Sequence, residues 1–184
     1  MTGADTGTYI VGRLGQHWAD FDKPPIPDEA DVAEYQKVVG AYVDSVVARY
    51  YEYMPKMSNP TADKVPSKFA EIITFYVRQG KTSDFESAMT RVNEAGTKTK
   101  WPLNYSRYSL WSGGPTNVYV PVLPHSNWAD FADKPDVKPF RDMLKDAFGQ
   151  EEADSIVSRL DNSVEKQTSD IVQVHPELSY LPGK

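Results

Sequence analysis

The sequence predicts an α+β protein with an antiparallel sheet and helices on one face of that sheet. The main reason is the order of elements after residue 68, where apolar runs of changing period indicate strand, helix, strand, strand, helix, strand. That order is the split βαβ arrangement of a ferredoxin-like sheet. A second observation is a repeated phrase, HWADFDKP from His17 and NWADFADKP from Asn127, which places Trp18 and Trp128 110 residues apart.

The repeated phrase is part of a longer internal repeat. Residues 54–58 (MPKMS) match residues 175–179 (HPELS), so the two copies also share their last segment. Trp128 follows Phe69 by 59 positions, whereas 17 residues precede Trp18. The first copy is therefore expected to lack an opening strand, a helix and a second strand.

The repeat predicts a partial first ferredoxin-like repeat at residues 1–60 (strand, helix, strand), a linker at 61–68 and a complete second repeat at 69–184. The prolines of NPTADKVPSK favour the linker. Three interpretations of the short first copy stay open: a fragment, a truncated relative, or a protein that completes its sheet by association.

The first half is expected to contain a strand at TYIVGRLG, a helix, and a strand at YYEYMPKMS that ends at Pro55. The helix is expected to begin after Asp28, its N-cap, and to reach Tyr50. Its apolar face is spaced by three and four residues and consists of Val32, Tyr35, Val39, Tyr42, Val43, Val46 and Tyr50.

In the second half, FAEIITFYVR predicts a strand with one apolar and one mixed face. The apolar face holds Ile73, Phe75 and Val77, and the mixed face holds Thr74, Tyr76 and Arg78. A helix is expected next, with a capping box at residues 83–86 and Gly96 as its stop. It is followed by a hairpin that turns at residues 112–116, a helical stretch at 137–166 broken near FGQEE, and a last strand at SDIVQVHPELS.

Composition and charge exclude several classes of function. Acidic residues outnumber basic ones by 26 to 20 and no basic run occurs, so a nucleic-acid partner is not expected. The chain has no cysteine, which excludes disulfides, thiolate metal sites and a cysteine nucleophile. His17, His125 and His175 lack the spacing of a helical metal site, and no phosphate-binding loop or serine nucleophile motif is present. We therefore expect neither a metal nor a cofactor.

The sequence also indicates the kind of compartment. No apolar run approaches the ~20 residues that a membrane span requires, and the first residues do not form a signal sequence. A soluble cytoplasmic protein without a membrane partner is expected. An exported protein whose signal has been removed is the alternative.

A long stretch of the second half carries a family pattern. Gly80 and Lys81 precede Phe85 and Glu86 after the first strand, and Trp128 follows the third strand. From residue 69 to 180 the chain thus resembles the dimeric α/β-barrel superfamily, which includes NIPSNAP-like, EthD-like and antibiotic-biosynthesis-monooxygenase-like proteins. The resemblance implies two facing sheets that close a barrel, from two chains or from a tandem repeat. A homodimer is expected, with the repeated phrase as one corner of two related halves.

Polar and aromatic side chains on the strands are the candidate ligand-binding residues. They are Tyr76 and Arg78 on one strand, Tyr105 and Arg107 on the next, Tyr9 and Tyr119 at equivalent positions of the repeat, and Trp128. If the apolar strand faces lie under the helices, the strand residues among them line the barrel together. Aromatic rings with two guanidinium groups suit a flat, oxygenated or anionic molecule. Pairing of Arg78 and Arg107 with acidic neighbours is the alternative.

The repeated corner offers a functional and a structural interpretation. His125 follows a strand near the expected mouth of the barrel and is the candidate acid or base, with a solvent-facing or capping histidine as the alternative. Asn127 is expected to cap a short helix with Asp130. Trp128 and Phe131 are expected to pack on the sheet edge, with an indole that faces a pocket as the alternative.

Two functional hypotheses follow. The first is a barrel protein that binds a small aromatic or anionic organic molecule, with cofactor-independent oxygenase-like activity as an extension. The second is a non-catalytic module that self-associates through unpaired sheet edges. The sequence leaves open whether the protein is an enzyme.

Overall fold

The computed structural model describes residues 8–22, 29–60, 67–132 and 134–178. The chain divides into two compact units, a small one at Gly7–Ala48 and a large one that contains Arg49–Lys184. The helices are α1 (Glu29–Val38), α2 (Thr82–Thr99), α3 (Phe140–Phe148) and α4 (Gln150–Ser163). The strands are β1 (Tyr50–Tyr53), β2 (Phe69–Val77), β3 (Ser106–Ser112), β4 (Val118–His125) and β5 (Val164–Gln173).

The large unit is an α+β fold with one antiparallel sheet in the order β1-β3-β4-β2-β5. The helix α2 connects β2 to β3, and α3 and α4 connect β4 to β5. Strands β2 to β5 with these helices therefore have ferredoxin-like topology, as the order of elements predicts. β1 extends the sheet beyond β3 as an additional edge strand.

The core lies between α2, α3, α4 and one face of the sheet. Small and branched residues such as Ala88, Val92 and Ile156 pack the three helices together. Under α2, the rings of Phe85 and Tyr119 lie 4.7 Å apart and form a second cluster against the sheet. This arrangement defines a helix-bearing face of the sheet, on which the candidate site is found.

Several local predictions for the second half are confirmed. β3 and β4 form the expected hairpin, whose turn contains two residues of positive φ, Gly113 (93°) and Asn117 (58°). The break near FGQEE falls at Gly149, where φ is 87° and α3 ends before α4 begins. Glycine suits both glycine positions because it adopts positive φ without steric cost.

The predicted ends of α2 are wrong. The helix begins at Thr82 with Lys81 as its N-cap, so Ser83 lies inside it and forms no capping box. It continues through Gly96 to Thr99, and Lys100 takes the left-handed conformation instead. Trp101 folds back on this last turn, with its Cβ 3.9 Å from where a Cβ of Gly96 would lie. A Cβ at this position would make ordinary van der Waals contact, so packing does not require a glycine here. The helical stretch expected to reach residue 166 also ends earlier, at Ser163.

The first half differs more from its prediction. Residues 8–15 form no strand, and α1 ends at Val38 before a 3-10 turn at Gly40–Tyr42. Residues 43–49 are not helical. β-Branched valines after Gly40 have low helix propensity, which is consistent with an early helix end. The expected N-cap Asp28 and residues 61–66 of the expected linker lie outside the described residues.

The strand predicted to close the first repeat is β1, and it pairs with β3 in the same sheet as the second-half strands. The assignment of residues 1–60 to a truncated first repeat stays a prediction, and so does the closure of a barrel. Among the described helices, none combines the length and apolar character needed to span a bilayer.

The repeated phrase has the same local structure in both copies. Trp18–Asp22 and Trp128–Phe131 are short 3-10 helices with tryptophan–phenylalanine ring distances of 5.9 and 5.5 Å. In each copy the aspartate accepts a hydrogen bond from a backbone N–H three residues earlier, at 2.8 Å for Asp20 and 3.2 Å for Asp130. The predicted cap by Asn127 is confirmed. Trp128 packs on Phe69 at a ring distance of 4.6 Å, but Phe69 begins β2, which has a neighbouring strand on each side, so the contact lies at the end of an inner strand and not at the expected sheet edge.

Candidate ligand-binding site

A cavity of about 500 Å³ lies between the helix-bearing face of the sheet and the three helices of the large unit. We call it the cleft. Its walls are mainly apolar and include Ile73 and Phe75 of β2, Met89 and Val92 of α2, and Phe140 of α3. Four polar or titratable residues also line it: Tyr105, Arg107, Asp161 and Gln167. A mainly apolar cleft with few polar groups is typical of small-molecule sites.

Arg107 enters the cleft because of its register in β3. It pairs with Pro121 of β4, and Ser109 pairs with Tyr119, whose ring lies in the core under α2. Side chains of directly paired residues lie on the same face, so the alternate residues of β3 that include Arg107 face the helices. Arg107 is 6% exposed.

The guanidinium group of Arg107 has few partners. Its Nη1 donates a hydrogen bond of 2.9 Å to the carbonyl oxygen of Met57. Its Cζ lies 4.7 Å from the centre of the Tyr105 ring. The Nε atom is inaccessible to solvent and has no hydrogen-bond partner, and no described carboxylate forms an ion pair with this arginine. The predicted alternative, in which Arg107 pairs with an acidic neighbour, is not found among the described residues.

Burial shifts the pKa values of Arg107 and Tyr105. Removal from water lowers the pKa of Arg107 to about 10, partly opposed by the nearby Tyr105. The group therefore remains a cation at neutral pH. Burial also raises the pKa of Tyr105, against the attraction of the Arg107 charge. The Tyr105 hydroxyl is neutral and donates to Asn93 Oδ1 at 3.0 Å.

The segment after β1 builds one side of the site. A 3-10 turn at Pro55–Met57 places the Met57 carbonyl at the guanidinium, and Ser58 Oγ accepts the Arg107 backbone N–H at 2.8 Å. Asn59 then pairs with Tyr105 through two backbone hydrogen bonds of 2.9 Å. The sequence does not predict the contribution of Met57, because a main-chain carbonyl leaves no residue-type pattern. The matching MPKMS and HPELS segments were the available indication.

Tyr119 is buried on the same face as Arg107 but does not line the cleft. Its hydroxyl donates a hydrogen bond of 2.6 Å to Glu86 Oε1 and so connects β4 to α2. Burial, followed by the Glu86 carboxylate, raises the pKa of Tyr119 above its ordinary value. Its role is therefore in packing.

Tyr76 and Arg78 do not join Arg107. The alternation of β2 directs Phe75 to the core and Tyr76 to the opposite face, where Lys166 Nζ lies 5.4 Å from its ring centre. Arg78 is exposed after the end of β2, and its backbone N–H donates to Ser163. The prediction that the polar residues of β2 and β3 share one face is therefore wrong. Tyr9 belongs to the small unit and is 76% exposed.

His125 and Trp128 lie near the end of β4. His125 pairs with Phe69 and stands two residues after the cleft residue Leu123, but it does not line the cleft. Its ring stacks on Phe131 at 4.0 Å, and its Nε2 lies 3.6 Å from Glu71 Oε2. The histidine is thus packed within the repeated corner. Among the described residues, no group of three histidine or carboxylate side chains is close enough to hold a metal ion.

Together, the fold and the cleft define an α+β protein of ferredoxin-like topology with an apolar cleft around a buried cation. No protein-family model matches the chain, and no curated protein matches it. One similar solved structure comes from Lactobacillus acidophilus NCFM and is described as a "putative monooxygenase". The two chains are 8% identical with a TM-score of 0.39, and the alignment covers 79% of this chain and 65% of the other. A likeness this weak supports no conclusion about function.

Proposed function

We propose that the protein binds a small organic molecule in the cleft, with a flat apolar body between the sheet and the helices and a carboxylate or similar anion at Arg107. The observation that carries this proposal is the buried guanidinium group, which borders an apolar cavity and has no carboxylate partner among the described residues.

The energy of an unpaired buried charge supports the proposal. Removing an ion from water costs several kcal/mol unless an opposite charge and hydrogen bonds compensate. The Met57 carbonyl and the Tyr105 ring offset part of this cost for Arg107. A ligand carboxylate would supply the missing charge and accept hydrogen bonds from N–H groups of the two Nη atoms that are not bonded to Met57, a geometry to which a guanidinium group is well suited.

The size of the cleft is consistent with a ligand that has a single ring or two fused rings. Its volume of about 500 Å³ is in the usual range of small-molecule sites. Phe75, Trp101 and Phe140 contribute aromatic walls, against which a flat ring can pack. The proposed site lies between the sheet and the helices, whereas the sequence predicts a site inside a barrel. Barrel closure, a homodimer and oxygenase-like turnover stay predictions, and binding in the cleft does not require them.

The test uses two probes of equal shape and different charge, 2-naphthoate and neutral 2-naphthamide. Isothermal titration calorimetry of the wild type is expected to show tighter binding of the acid, by roughly tenfold to a hundredfold for a charge-assisted hydrogen-bonded contact. Arg107→Met is expected to abolish this preference and to retain the amide affinity. Arg78→Met, a matched change at an exposed arginine, is expected to leave both affinities unchanged.

Circular dichroism would confirm that both variants are folded. Equal affinity of the wild type for the two probes, no binding of the acid, or an unchanged preference in Arg107→Met would each overturn the proposal.

A further inference from the structure

The positive and the negative side chains that line the cleft lie at different ends of it. Arg107 of β3 and Tyr105, which directly precedes that strand, are buried, whereas Asp161 of α4 and Gln167 of β5 are exposed. All four line the same cavity. The cleft therefore has a cationic inner end and an opening that carries a carboxylate and an amide.

The sheet order sets the distance between the two ends. β3 and β5 are separated by β4 and β2, so their backbones are three strand spacings, or roughly 14 Å, apart. The Arg107 guanidinium group donates to the carbonyl of Met57, whose segment follows β1 on the side of β3 away from β5, so the side chain does not shorten this separation. A naphthalene with a polar group at each end and a hydrogen bond beyond each group spans a distance on the order of 14 Å.

The opening attracts positive charge and hydrogen-bond donors. Asp161 lies in the last turn of α4, which has no basic residue, and the C-terminus of a helix carries a partial negative charge. The described contact of the Asp161 carboxylate is with Arg141 at 4.0 Å, and both side chains are mostly exposed. Such an ion pair is weak, so the carboxylate is available to a ligand. Gln167 makes no side-chain hydrogen bond with a described residue.

We infer that the ligand is amphoteric, with an anion at Arg107, an apolar ring system along the cleft, and a protonated amine held at the opening by Asp161 and Gln167. This inference rests on the proposed function of the cleft and extends it to a class of ligand. It names the second end of the molecule, which the Arg107 site does not specify.

The test compares three probes with one ring system. They are 2-naphthoate, 6-(aminomethyl)-2-naphthoate and its uncharged isostere 6-(hydroxymethyl)-2-naphthoate. The wild type is expected to bind the aminomethyl acid about tenfold more tightly than the hydroxymethyl acid, and Asp161→Asn is expected to remove that difference. Binding of 2-naphthoate is expected to be the same in both proteins.

Two control variants separate a local contact from a change in overall charge. Asp154→Asn makes the same change on the same helix, at an exposed residue that does not line the cleft, and is expected to keep the preference for the amine. Arg141→Gln removes the ion-pair partner of Asp161 and is expected to keep or increase this preference.

The outcomes distinguish the two proposals. If 2-naphthoate binding depends on Arg107 but the amine gives no advantage, or gives one that Asp161→Asn preserves, the amphoteric ligand is excluded and the anion site stands. A loss of the amine preference in Asp154→Asn would equally exclude it, because the effect would then be one of overall charge. If no probe binding depends on Arg107, both proposals fail.

Discussion

Tyr119 and Arg107 are two buried polar side chains on the same face of the sheet, and they differ in their hydrogen-bond partners. Tyr119 is 3% exposed and donates its hydroxyl hydrogen to Glu86 at 2.6 Å. Arg107 is 6% exposed and keeps a sealed Nε without a partner among the described residues. Around Tyr119 the layer between sheet and helices is filled by rings, whereas around Arg107 it opens into the cleft.

This difference separates a polar group whose partner belongs to the protein from one whose missing partner, in the proposed function, is a ligand. A buried polar group that is hydrogen-bonded to another group of the protein contributes to stability. If the first group is removed, its partner stays buried without a hydrogen bond, which lowers stability. A buried charge without a partner lowers stability in the free protein. The comparison predicts that substitutions at the two ends of the layer have unlike effects on the free energy of unfolding.

The largest effect on the free energy of unfolding is expected where rings fill the space around Tyr119. Phe85→Ala removes a ring that is 0% exposed and lies 4.7 Å from Tyr119 and 5.7 Å from Phe75. We expect it to lower the free energy of unfolding by about 3–5 kcal/mol, measured by chemical denaturation. Phe140→Ala, the same change at a half-buried ring that borders the cleft, is expected to cost about half as much or less. Equal losses would mean that the two ends are packed alike.

A medium effect is expected at the satisfied tyrosine. Tyr119→Phe removes the hydrogen bond to Glu86 and is expected to cost about 1–2 kcal/mol at neutral pH, whereas Tyr76→Phe on the opposite face is expected to cost nothing measurable.

The effect of Tyr119→Phe is also expected to depend on pH. Because burial and Glu86 raise the pKa of Tyr119, its contribution is fully present below the ordinary tyrosine pKa near 10 and is lost as the pH rises toward the folded-state value. The difference between wild type and Tyr119→Phe, measured by denaturation at several pH values, should therefore shrink above about pH 10. A pH-independent difference would contradict this assignment of the hydroxyl.

The smallest effect on stability is expected at Arg107. Arg107→Met loses the bond to the Met57 carbonyl but also the cost of a buried cation, so its free energy of unfolding should stay within about 1 kcal/mol of the wild type or exceed it. The same variant should lose the preference for 2-naphthoate. A loss of stability above about 2 kcal/mol would instead assign the arginine to the fold.

Much of the second half was predictable from short segments. The β2 strand, the β3–β4 hairpin and the cap by Asn127 depend on periodicity, turn glycines and hydrogen bonds within a few residues. Both copies of the WADF phrase form the same turn for this reason, although Trp128 packs on Phe69 of the sheet and Trp18 belongs to another unit. Local interactions of this kind leave a pattern in the sequence.

The candidate site was predicted only in part. The sequence predicts Tyr105 and Arg107 as binding residues that alternate on one strand, but it also predicts Tyr76 and Arg78 beside them, and the structure places those two elsewhere. Alternation specifies which residues of one strand share a face, yet pairing between distant strands decides which of the two faces meets the helices. The sequence therefore identifies candidate side chains but not which of them face the helices.

The residues therefore establish the ferredoxin-like order of elements in the second half and the presence of an aromatic ring and a guanidinium group two positions apart. The folded chain adds the burial of Arg107, the Met57 carbonyl beside it and the opening toward Asp161. These depend on contacts between residues about 50 positions apart, such as Arg107 with Met57. Burial and pairing of charges are properties of the packed protein, since the cost of an unpaired cation arises only when water has been removed.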